Sequence, residues 1–93
     1  MRWYLEWASV DPRTRSSGPW VALIAKDVDD EGGGYFVEAC DRSGRRVAEA
    51  WFGGLRDART WAEAEWGHAA VGAWQPFPHR SGDPIEYALR KRR

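Results

Sequence analysis

Seven tryptophans in a chain of 93 residues set the packing problem that this sequence has to solve. Each indole can bury roughly 200 Å² or more, and a single small core cannot enclose seven of them. Some of these rings are therefore expected at the surface. The length allows one domain, spanning residues 1–93. Apolar residues at 43% and charged residues at 30% describe a folded chain rather than a disordered one.

The order of elements follows from periodicity. Arg2 to Val10 alternates, with Trp3, Leu5 and Trp7 on one face and Arg2, Tyr4 and Glu6 on the other, as in a half-buried strand. Asp11 to Pro19 is a loop rich in turn formers, holding Arg13 and Arg15. Trp20 to Ala25 is apolar on both faces, which suits a central strand. Tyr35–Asp41 and Arg45–Phe52 flank Asp41-Arg42-Ser43-Gly44-Arg45, the pattern of a type I turn closed by a left-handed glycine. That turn predicts Ala39 opposite Val47, Val37 opposite Glu49 and Tyr35 opposite Trp51.

Gly53-Gly54 breaks the strand, and Leu55 to about Ala70 reads as a helix. Leu55, Ala58, Trp61, Ala62, Trp66 and Ala69 form its apolar stripe, and Arg59 is placed to meet Glu63 one turn on. Val71 to Pro78 is extended, with Trp74 and Phe77 as anchors. Asp83-Pro84-Ile85-Glu86 combines an N-cap acid with proline at the first helical position, which favours a terminal helix from Pro84 to about Arg92. Ile85, Tyr87 and Leu89 also alternate as they would in a strand. The expected fold is α+β: an antiparallel meander of about four strands on one main helix, with a short C-terminal helix or strand.

Chemistry-bearing residues are sparse. The single cysteine, Cys40, lies mid-strand, and only His68 and His79 are available as bases, at spacings that propose no nucleophilic pair or zinc set. Glu38 and Glu49 read as solubilising carboxylates on surface strands. Asp27-Val28-Asp29-Asp30-Glu31-Gly32 with Glu38 resembles an EF-hand loop over twelve residues, but the flanks read as strands rather than helices. The expectation is a non-enzymatic protein with no cofactor and no metal. No run approaches the roughly 20 apolar residues of a membrane span, and neither signal peptide nor disulfide framework is visible, so the expected setting is cytoplasmic.

Binding is the remaining class. Trp and Arg dominate interaction hot spots, and Trp3, Trp7 and Trp51 are the candidates for a protein partner or a homo-oligomer. The 14 basic and 14 acidic side chains cancel but are segregated. Asp27 to Glu31 carries four negatives, while Arg42, Arg45 and Arg46 surround the turn and Arg90, Lys91, Arg92 and Arg93 end the chain. These seven are the candidate contacts of the alternative, a nucleic-acid backbone.

The run Tyr35-Phe36-Val37, the turn, Trp51-Phe52, then Leu55-Arg56-Asp57-Ala58 and Trp61-Ala62 resembles the arm-type DNA-binding domain of tyrosine integrases, over about residues 20–66. The resemblance implies a three-stranded sheet backed by one helix, with the sheet entering the major groove. Arg46 is the only basic residue inside the two hairpin strands, and Glu38 and Glu49 oppose phosphates, which leaves contacts from the turn and tail.

Overall fold

The computed structural model of the chain describes residues 1–11, 18–78 and 82–92. Five antiparallel strands form one sheet in the order β4-β3-β2-β1-β5. They are β1 (Arg2–Ser9), β2 (Val21–Asp27), β3 (Tyr35–Cys40), β4 (Arg46–Phe52) and the two-residue β5 (Gln75–Pro76). The helices are α1 (Leu55–Trp66) and α2 (Pro84–Arg92). The α+β meander expected from the sequence is thus present, with a fifth strand where the extended 71–78 segment pairs with β1.

Local chemistry sets the joints. The Asp41 side chain accepts hydrogen bonds from the Ser43 and Arg45 backbone N–H groups at 2.9 and 3.0 Å and from the Ser43 hydroxyl at 2.6 Å. Gly44 closes this turn at φ +88°, a conformation that glycine adopts without penalty. Asp83 caps α2 by accepting from the Ile85 N–H at 3.0 Å, which resolves the terminal segment as helix. Helix α1 stops at Trp66 rather than near Ala70. Gly67 takes φ +97° and donates its N–H to the Glu63 carbonyl at 2.9 Å, closing the helix one turn early.

Two one-residue bulges decide which side chains face which way. In β1, Tyr4 pairs with Ala25 while Glu6 pairs with Ile24, leaving Leu5 as the extra residue. The regular alternation read from the sequence is therefore broken. Trp7 shares a face with Tyr4 and Arg2, and Glu6 shares the other with Trp3. In β4, Cys40 pairs with Arg46 while Ala39 pairs with Ala48, so Val47 is extra. Beyond that point the register predicted from the turn is off by one. Val37 faces Ala50, Glu38 faces Glu49 and Tyr35 faces Phe52.

Each face of the sheet has its own core. On one, Ile24 and Val37 pack beneath Ala58 and Ala62 of α1, walled by Tyr35, Phe52, Leu55, Trp61, Trp66 and Trp74. On the other, Trp7, Val21, Leu23 and Cys40 pack beneath Ala88 of α2, with Tyr4, Trp20, Phe77, Ile85, Tyr87 and Leu89 around them. The two alanines of α1 bring the helix close enough for the flanking indoles to close over the sides. Arg59 does not meet Glu63. It grips Glu6 of β1 through two hydrogen bonds of 2.7 Å, tying α1 across the sheet.

Replacing Ala62, which has no exposed surface, by leucine forces extra methylenes under α1. The Ala62→Leu protein should lose about 1–3 kcal/mol of stability, read as a lower urea midpoint, whereas Ala64→Leu on the exposed side of α1 should change it little.

Candidate functional site

Helix α2 packs chiefly on β1 and β2 and reaches β3 at Cys40, so among the described residues the Phe36–Glu38 stretch of β3 and the neighbouring part of β4 lie beyond it on that sheet face. This open part is where the polar side chains of the face gather. Its centre is Glu38, completely buried although it stands in the middle of β3. The Tyr4 hydroxyl donates to Glu38 Oε2 at 2.6 Å, and Arg46 Nη2 donates to Oε1 at 3.1 Å. Arg2 Nη1 also bonds Glu38 Oε2 and reaches Glu49 Oε2 at 2.7 Å. The Arg46 guanidinium closes the ring, 3.6 Å from Glu49.

Small residues make this possible. Tyr4, Ala25 and Phe36 form one row across three strands, and the alanine leaves a trough over β2. Tyr4 and Arg2 cross that trough to reach β3. Arg2 also lies flat on Phe36, its guanidinium carbon 3.7 Å from the ring centroid, where cation–π attraction offsets lost hydration. Sequence patterning placed Glu38 and Glu49 among solubilising surface charges and offered no site role for Arg2 or Tyr4. Only the Leu5 bulge puts Tyr4 on the same face as Glu38.

The electrostatics are those of a neutralised cluster. The hydrogen bond from Arg2 holds the Glu49 carboxyl below its ordinary value. Its bond to Glu49 raises Arg2 further into the range where it is always charged. Arg46 is raised by the nearby Glu38 charge. Burial, reinforced by the bond to Glu38, pushes the Tyr4 hydroxyl up to about 12. Burial also pushes the Cys40 thiol up to about 11, where it stays protonated and poorly nucleophilic at neutral pH. The base, acid and cation of the cluster are committed to one another. Beside it, Arg2, Trp3, Tyr4, Leu5, Phe77 and Pro78 line a cleft of about 520 Å³ whose polar wall is already turned toward Glu38 and Glu49.

The three tryptophan candidates separate. Trp7 is only 9% exposed and belongs to the core under α2, which the bulge at Leu5 explains, so it is not a surface contact. Trp3 and Trp51 are 55% and 46% exposed but lie on opposite faces of the sheet. Trp51 covers Gly34, which has no room for a Cβ beneath the ring, and its Nε1 donates to Asp27 at 3.2 Å. Four residues earlier on β4, Val47 is 44% exposed on the same face.

The basic candidates also divide. Arg46 belongs to the Glu38 cluster. Arg92 donates to Asp11 at 2.8 Å and to the Trp20 carbonyl at 3.3 Å, and its guanidinium carbon sits 3.8 Å from the Trp20 ring centroid. Arg42 approaches the same ring at 4.0 Å. The turn therefore meets the end of α2 at Trp20, and Gly44 faces Ile85 and Leu89. Arg45, Arg90 and Lys91 are exposed nearby in the chain, while Arg93 and His79 lie outside the described residues.

Two acids of the 27–38 segment have partners elsewhere in this structure. Glu38 is taken by the Arg2–Tyr4–Arg46 cluster, and Asp29 pairs with the Met1 ammonium. Among the described residues no group of three or more metal-ligating side chains converges. No helix among them is long and apolar enough to cross a membrane. No protein-family model matches the chain, and no curated protein or solved structure matches it.

Tyr4→Phe should reduce stability by about 1.5–3 kcal/mol at neutral pH in urea unfolding, because a buried carboxylate loses a donor. The pH profile has a defined sign. Tyr4 rises from 10 to about 12 and Cys40 from 9 to about 11, so their contributions are complete below those ordinary values. Stability should then fall as pH climbs from 9 to 12, with Tyr4→Phe removing the upper part of that loss. On the acid side, the contribution of Glu49 is present above 4.5 and disappears as pH falls through its depressed value.

Proposed function

We propose that this chain is a small non-enzymatic interaction module of the cytoplasm that associates with itself through the free edge of its sheet. The observation that carries this reading is β4. It pairs only with β3 among the described residues, and it displays Val47 and Trp51 on one face, each more than two-fifths exposed. Exposed main-chain groups flanked by a large aromatic ring are the elements of strand-addition binding. A non-catalytic role is supported by the commitment of Arg2, Tyr4, Glu38, Arg46 and Glu49 to one another, which leaves no poised base among them.

A second reading has its own observation. Arg42 and Arg92 converge within about 4 Å of Trp20, joining the turn to the basic end of α2. An accessory nucleic-acid-binding protein would hold phosphates there through Arg42, Arg45, Arg90 and Lys91. The resemblance to the arm-type domain supports this partner class, through backbone contacts only, since Glu38 and Glu49 occupy the open face.

Size-exclusion chromatography with light scattering decides the first reading: the mass should rise toward twice the monomer with concentration, and Trp51→Ser should hold it at the monomer. A strict monomer at every concentration removes it. For the second, anisotropy titration of a labelled oligonucleotide at roughly 50 and 200 mM salt should show binding that weakens steeply with salt and is reduced in Arg42→Ala. No binding at the lower salt removes that reading.

A further inference from the structure

Resting on the self-association reading, we propose that the occupant of the β4 edge is a second copy of this chain, paired antiparallel about a two-fold axis through Glu49. Strand β4 is close to palindromic in side-chain character around that residue. Val47-Ala48-Glu49-Ala50-Trp51 runs from a large apolar side chain through alanine to glutamate, then back through alanine to a large apolar side chain. Antiparallel self-pairing about Glu49 sets Val47 opposite the partner's Trp51 and Ala48 opposite the partner's Ala50. Directly opposed residues of an antiparallel pair share a face. Val47 and Trp51 both lie on the face opposite α1, and Ala48 and Ala50 on the α1 face, so both matches fall on the correct sides. Two Val–Trp pairs, one on each side of the axis, then cover the apolar side chains that a single copy leaves exposed.

The axis would set two Glu49 side chains against each other, and the local charges compensate for this. Each Glu49 is bonded by Arg2 at 2.7 Å and stands 3.6 Å from Arg46. Arg2, Arg46, Glu38 and Glu49 from each copy give equal numbers of guanidinium and carboxylate groups around the axis. The edge is thus complementary in charge to itself, whereas a strand with a net charge of either sign would disturb that balance. The ladder is short. The Val47 bulge bends one end of β4 and Gly53-Gly54 ends the other, so a reversible, concentration-dependent dimer is the expected product rather than a permanent one. Pairing joins two five-stranded sheets into one and removes the free β4 edge from both.

Two measurements test this. In hydrogen exchange of the unaltered protein, amides of β4 should gain protection as concentration rises, while those of α1 should not. In disulfide trapping, a mixture of Val47→Cys and Trp51→Cys proteins, whose mixed dimer sets the two cysteines opposite each other and keeps one Val47–Trp51 pair, should cross-link at least tenfold faster than Val47→Cys alone, which keeps both Trp51 rings. In the proposed register, like positions lie about 13 Å apart along the strand and unlike positions lie opposite. A light-scattering dimer without β4 protection, or with equal trapping in mixed and single samples, overturns this pairing and leaves self-association standing. A monomer at all concentrations overturns both, and the exchange measurement decides the matter should either cysteine variant fail to fold.

Discussion

Glu38 sits in the middle of β3 with no exposed surface, and a carboxylate there has to find its hydrogen-bond donors within the protein. An unpaired buried charge is far more expensive than any single packing contact in a domain this small. The donors come from strands on both sides: Arg2 and Tyr4 from β1, two strands away, and Arg46 from β4 next door. Meeting that demand fixes the lateral position of β1 against β3 and requires a small side chain between them, which Ala25 supplies. It also removes Arg2 and Arg46 from the pool of available cations. The network thereby accounts for an apparent oddity, a sheet face whose uncovered half is its polar half.

That division follows from how the two helices are spent. Helix α1 approaches β3 and β4 through Ala58 and Ala62 and shields one face, with Trp61, Trp66 and Trp74 filling the margins. Helix α2 is only nine residues long and reaches β1 and β2 on the other. A single short helix cannot span five strands, so the remainder of that face must tolerate water at its rim. Charged side chains satisfy both conditions: their stems and planes pack on Phe36, and their charges cancel among themselves.

Much of the fold was legible along the chain because its joints have local chemistry. The Asp41–Arg45 turn, the Gly53-Gly54 break and the Asp83-Pro84 helix start each act through neighbouring residues. The site was not legible, because it depends on parity. One extra residue, Leu5, turns Tyr4 toward Glu38 and Trp7 into the core, and one extra residue, Val47, moves Glu49 to the face of Glu38. Neither carries a glycine or any other local mark of a bulge. The same limit applies to Arg59, whose neighbour one helical turn away looked like its partner until tertiary structure brought Glu6 within 2.7 Å.

The seven tryptophans and the twelve arginines, against only two lysines, have a common resolution. A small interior supplies too few aliphatic side chains to wall every aromatic ring, and the flat guanidinium group serves as an additional wall. Arg42 and Arg92 cover Trp20 in this way, and Arg2 covers Phe36. Trp51 lacks this shielding. It rests on Gly34 and hydrogen-bonds Asp27, yet nearly half of it remains exposed on the outermost strand of the sheet. Trp3, though more exposed, lies across from Lys26 on the other face and lines the cleft it shares with Leu5 and Phe77 rather than the free β4 edge. Of the seven rings, Trp51 therefore combines exposure, a fixed orientation and a place on the outermost strand of the sheet, and the strand-addition proposal rests on those three properties together.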